Sequence, residues 1–225
     1  MTPRQRVFVV GLLLVVVASA GTIPLTPAHW NVLYDGYGEV TWNSNETVSF
    51  APQKNDAGTS AVLVLSLAKA RDFDLTINAT TVRQLKTTPE KWEVFWVMFN
   101  YVQIGNGTSN DKKTNSFILK PNGCELGTAY GDLGQNFTAT TSTPTLALGT
   151  PYQYTITKRG YHLTVAIDGV SVLDATYDHT GLYDQEGVIG LYCEDAAVQV
   201  TSAVLTSHDP AASGSAASAL SRPLW

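Results

Sequence analysis

From Asn31 to Thr206, short runs of β-branched and aromatic residues alternate with polar ones at period two, and Gly, Asn, Asp or Pro breaks them about every eight to twelve residues. That pattern permits few folds. Twelve strands are predicted, over 39–42, 47–51, 61–67, 73–80, 93–102, 116–120, 125–130, 152–158, 162–167, 171–177, 188–192 and 198–205, with no convincing amphipathic helix among them. A dozen strands in one domain imply two stacked antiparallel sheets, an all-β sandwich of the jelly-roll kind. Asp168-Gly169, between two alternating runs, is a type I′ hairpin signal. Pro121-Asn122-Gly123 marks a second tight turn, Pro presetting one dihedral and Gly accepting the strained one.

Alternation also sorts the faces. In Asp72–Asn78 the set Phe73, Leu75 and Ile77 points to the core, and Asp72, Asp74, Thr76 and Asn78 point to solvent. Glu93–Tyr101 is apolar on both sides, so it reads as a central strand covered twice or as one with an aromatic-lined second face.

The termini bound the folded part. Arg4 and Arg6, the apolar run Val7–Val17 and the small residues Ala18-Ser19-Ala20 form an export signal over residues 1–20, with a mature start near Gly21. Residues 21–208 are then one β-sandwich domain, and the Ala-, Ser- and Pro-rich 209–225 a flexible tail. The expected address is secreted and extracellular, with no membrane insertion after signal cleavage. Losing Arg4 and Arg6 leaves 12 basic residues against 19 acidic ones, a net charge of −7. Such a surface disfavours nucleic acid and anionic lipid as partners.

Cys124 and Cys193 are an even pair in an exported chain, and a bond between them is expected, the alternative being two buried thiols. Asn-x-Thr sequons at Asn45, Asn78, Asn106 and Asn136 are candidate glycosylation sites that make the chain a candidate glycoprotein. Acidic Asp184, Glu194 and Asp195 are candidate ligands for a structural Ca²⁺, with solubilising loop acids as the plainer account. No other cofactor is called for.

Three stretches carry a family resemblance: Trp92-Glu93-Val94-Phe95-Trp96-Val97-Met98-Phe99-Asn100-Tyr101, Phe117–Gly127 and Gly187–Ala196. They resemble secreted concanavalin A-like lectin and glucanase domains, and most of all the branch named for 3-keto-disaccharide hydrolases. The resemblance spans roughly Trp30–Leu205 and implies a glycan or polysaccharide partner outside the cell. The paired carboxylates at i, i+2 and i+4 that resemble a retaining glucanase's signature are missing, as are a Gly-x-Ser-x-Gly elbow and a His-Glu-x-x-His helix.

The function expected is therefore a secreted carbohydrate-binding protein without catalysis. Alternatives are a glycan-cleaving hydrolase or lyase using dispersed residues, and a structural extracellular module. The candidate ligand groove takes Trp96 and Asn100, four apart on one strand, with Lys120 and Glu125 flanking the Pro-Asn-Gly turn. Tyr130 and Gln135 stand at its rim, and Glu93 is the fallback on the opposite face. Against this groove stands a plainer reading, with Trp96 in the core and Lys120–Glu125 an exposed ion pair.

Overall fold

A computed structural model of the chain describes residues 20–104, 112–131, 134–177 and 184–209. The signal segment up to residue 19, Asn106 and the tail beyond Asp209 lie outside the described residues.

Fifteen strands are described: β1 (Ala20–Thr22), β2 (Trp30–Tyr34), β3 (Glu39–Trp42), β4 (Val48–Ala51), β5 (Ala61–Ala70), β6 (Phe73–Gln84), β7 (Phe95–Gln103), β8 (Lys112–Lys120), β9 (Gly123–Tyr130), β10 (Gln135–Thr141), β11 (Pro151–Arg159), β12 (His162–Ile167), β13 (Val170–Thr176), β14 (Gly187–Glu194) and β15 (Ala196–Ser207). All twelve expected strands are among them, and β1, β2 and β10 are additions. They form two antiparallel sheets. One runs β13-β12-β11-β6-β15-β4-β3 with β1 beside β15, and the other runs β10-β9-β8-β7-β14-β5-β2.

The sheets meet through the alternating apolar rows. Phe95 and Phe117 of the second sheet pack edge-on against Tyr154 of the first, and Phe99 against Phe73. Such T-shaped pairs add to the area they bury. Both turns form as read: Asp168 and Gly169 hold φ of 50° and 78°, and Gly123 opens β9 at φ 124°. A side chain at Gly123 would run into the Thr141 carbonyl oxygen.

One charged group sits among the apolar rows. Lys158 points inward from β11 with no exposure, and its ammonium lies 2.7 Å from Asp184 and 3.4 Å from Asp72. Asp72 is thereby drawn off the solvent face that alternation gives it; it also accepts the Gly160 amide at 2.7 Å. Asp209 is part of the folded unit rather than of a free tail, since its carboxylate accepts the backbone amides of Arg71 and Asp72 at 2.7 and 2.9 Å.

The expected disulfide does not form. Cys124 and Cys193 are both free and buried. They lie on one row, Cys124–Leu119 on β9 and β8, then Phe95–Cys193 on β7 and β14. Three strand spacings, about 14 Å, separate them, far beyond the ~7 Å a disulfide tolerates. Burial pushes the Cys124 thiol up to about 11, so it stays protonated.

Candidate functional site

The outer face of the second sheet is crossed by one row of side chains: Tyr34 (β2), Leu63 (β5), Tyr192 (β14), Trp96 (β7), Ile118 (β8), Glu125 (β9) and Thr140 (β10). Trp96 and Glu125 therefore do share a face, and Lys120, ion-paired to Glu125, joins them. Gln135 stands exposed on the same face of β10, opposite Ala129.

Other members of the expected groove are placed elsewhere. Trp96 is only 3% exposed: its ring meets Tyr192 edge-on at 5.6 Å and its indole N–H donates to the Trp92 carbonyl. It offers no free ring to a sugar. Asn100 takes a left-handed φ of 49° at a bulge between Phe99 and Val102, which breaks the parity that would have put it beside Trp96. Its amide instead donates to the carbonyls of Ala70 and Gln185 at 2.9 and 2.8 Å and accepts from Asn115. Tyr130 pairs with Lys113 on the opposite parity from Glu125, at the strand end. Glu93, the fallback, is 1% exposed and locked to Lys86 at 2.5 Å.

The open space on this face lies at its β2–β5–β14 side. A cleft of about 840 Å³ is lined there by Tyr34, Asp35, Gly36 and Tyr37, by Gln53–Asn55 and Thr59–Ala61, and by Lys112, Tyr192 and Glu194. That volume is in the range of small-molecule sites. Strand β2 and the turn after it form one wall, and the segment between β4 and β5 another. β14 delivers Tyr192 and Glu194 to the floor, two residues apart and therefore on one face.

The floor is electrostatically unusual. Tyr192 donates its hydroxyl to the Glu194 carboxylate at 2.5 Å. Burial, aided by Asp195 and Glu93, holds the Glu194 carboxyl above its ordinary value against the opposing pull of Tyr192 and Lys112. Burial likewise raises the Tyr34 and Tyr192 phenols, and it lowers the Lys112 ammonium, which Glu194 partly restores. Clustered perturbed groups in a cleft are a mark of functional sites.

Glu194 and Asp195 are adjacent but diverge, because Asp195 adopts φ 39°. Its carboxylate accepts the Ser60 amide at 3.1 Å and meets Lys86 at 3.0 Å. With Asp184 on Lys158, the three calcium candidates do not converge. Among the described residues no three His, Cys, Asp or Glu side chains are arranged to hold a metal ion. Of the sequons, Asn45 and Asn136 are exposed, while Asn78 is half-buried and donates to Ser202 at 2.7 Å.

No protein-family model matches the chain, and no curated protein matches it by sequence. Solved structures do match in fold. The chain is similar to a protein of unknown function with a galectin-like fold from Bacillus subtilis, at 13% identity and TM-score 0.64, covering 84% of this chain and 98% of that one. It is similar to the carbohydrate-binding module CBM66 from Bacillus subtilis, at 14% identity and TM-score 0.57, over 80% and 96%. It is also similar to the β-glucanase of Bacillus licheniformis, at 10% identity and TM-score 0.53, over 84% and 97%. These likenesses show the fold, a two-sheet antiparallel sandwich of the concanavalin A-like and galectin-like kind.

Proposed function

We propose that the chain is a secreted, extracellular carbohydrate-binding protein that takes a glycan in the cleft above β2, β5 and β14 and does not cleave it. The observation that carries this reading is the cleft itself, about 840 Å³, walled by amides, hydroxyls and tyrosines. Hydroxyl-rich ligands need such convergent donors and acceptors beside aromatic surface. The fold likeness supports a glycan role, and the resemblance of Trp92–Tyr101 to the 3-keto-disaccharide hydrolase-like branch belongs to the same reading. Export through the signal at residues 1–20 and use of the exposed sequons Asn45 and Asn136 complete it.

A second reading, glycan cleavage, draws on Glu194. A buried carboxyl with a raised pKa, hydrogen-bonded to Tyr192, has the character of a general acid. Incubating the mature protein with neutral and acidic polysaccharides separates the two. Retention on a polysaccharide without new reducing ends or unsaturated products supports binding alone; either product signal overturns it in favour of cleavage.

A further inference from the structure

The turn from Asp35 to Gly38 holds Tyr37 in a conformation that burial of its ring does not explain. Tyr37 is 91% exposed, yet its backbone sits at φ 58°, in the left-handed region. That conformation is unfavourable for a residue with a Cβ and persists only where its surroundings impose it. Here they do. The Asp35 carboxylate accepts the Tyr37 amide at 2.9 Å, and the Gly38 amide donates to the Asp35 carbonyl at 3.1 Å. Gln53 ties the turn to the opposite wall by donating its backbone N–H to the Gly36 carbonyl at 2.9 Å.

Both flanking glycines are required by close approach. A Cβ on Gly36, itself at φ 62°, would fall 2.6 Å from the Ala61 oxygen and from Pro52 Cβ, and one on Gly38 would fall 2.0 Å from the Ala51 oxygen. The turn is therefore a rigid bracket pressed against the next segment, and what it displays is an aromatic ring at the mouth of the cleft. An Asn or Gly at position 37 would suit the backbone better.

The charges around the ring narrow the ligand. Lys54 is engaged with Asp56 at 3.0 Å and Thr87 at 2.8 Å, and Lys112 interacts with Glu194 through charge without a direct ion pair. Asp35 and Glu194 match these two cations in number, so the described lining residues carry no net charge and favour a neutral ligand over a uronate or sulfate.

Resting on the carbohydrate-binding reading, we infer that Tyr37 is the aromatic platform on which a neutral pyranose lays its C–H face while its hydroxyls reach the polar floor of the cleft. The strain in the turn is retained because it places the ring.

Affinity electrophoresis of the mature protein in gels holding laminarin, xylan or mannan as neutral probes, and alginate or polygalacturonate as acidic ones, tests this together with thermal unfolding. The expected result is retardation by a neutral probe and not by the acidic ones. Tyr37→Ala and Tyr37→Asn should weaken retardation about tenfold, equivalent to about 1.4 kcal/mol, with Tm unchanged or raised, while Tyr37→Phe and Tyr37→Trp stay within about twofold of wild type. Retardation by acidic probes alone overturns the neutral-ligand assignment. Neutral-probe binding unchanged in Tyr37→Ala overturns the platform and leaves the cleft reading standing, as does a weakening that comes with a lowered Tm. Wild-type protein that no probe retards overturns the carbohydrate-binding reading itself.

Discussion

Lys86 holds two buried carboxylates at once, and replacing it with methionine isolates what that arrangement does. Its ammonium is 2.5 Å from Glu93 and 3.0 Å from Asp195, and the three side chains are 14%, 1% and 0% exposed. Glu93, hydrogen-bonded to it, and Asp195 together raise the Lys86 ammonium above its ordinary value. Methionine keeps the stem's apolar packing and removes the charge. Taking away one partner of a buried pair costs about 3–5 kcal/mol because the other charge stays in low dielectric. For a domain of this size each kcal/mol moves Tm by about 2–4 °C, so a drop of about 6–20 °C at pH 7 is expected.

Urea unfolding at pH 7 measures this, and a loss below about 1 kcal/mol refutes the reasoning. Asp195 also holds Ser60 by its carboxylate and by its backbone amide, at 3.1 and 2.8 Å. Because Ser60 lines the cleft, the same variant should lose glycan retention.

Glu194→Gln should gain stability over wild type as pH rises from about 4 to 7. The native Glu194 carboxyl lies above its ordinary 4.5, so its contribution is fully present below the unfolded value and is lost as pH rises through the folded one. A gap between the two proteins that is equal at both pH values in urea titrations excludes this. Both thiols should react with a disulfide reagent only on unfolding, and reductant should leave Tm unchanged; one disulfide per chain in peptide mapping refutes the row geometry. Gly38→Ala should cost about 1–3 kcal/mol, since the wall it would enter is the Ala51 carbonyl rather than a movable side chain. Calorimetry that shows no loss would mean the turn is not pinned.

Fold and site differ in how far the sequence discloses them. Long strands disclose themselves: Phe73–Gln84 and Pro151–Arg159 show alternating burial over most of their length, in the pattern that period two dictates. Asp168-Gly169 likewise carries its own turn geometry. Asn100 does not, because a single left-handed residue reverses the parity downstream of it and leaves no local compositional mark. The cysteine spacing failed for another reason: how many strands separate two inward residues is decided by sheet order, which no local pattern records. Of the expected groove, Trp96, Lys120 and Glu125 share the outer face of the second sheet. The open part of that face, however, is built from the short edge strand β2 and from loops at 35–37 and 53–60, which sequence separation scatters and only topology assembles. Asp35-Gly36-Tyr37-Gly38, an aromatic bracketed by glycines, was the available signal.

Strand β15 is the last in chain order and yet sits inside its sheet, with β6 along one edge and β4 and β1 sharing the other. During synthesis, strands β1 and β4 therefore wait without that neighbour until residues near 207 have emerged. The first sheet cannot close over the core by vectorial growth. Assembly of the first sheet waits on that strand and is dominated by contacts between distant segments, the kind that folds in milliseconds to seconds rather than microseconds. A truncation that removes residues 196–207 would take from β1, β4 and β6 the one strand they share.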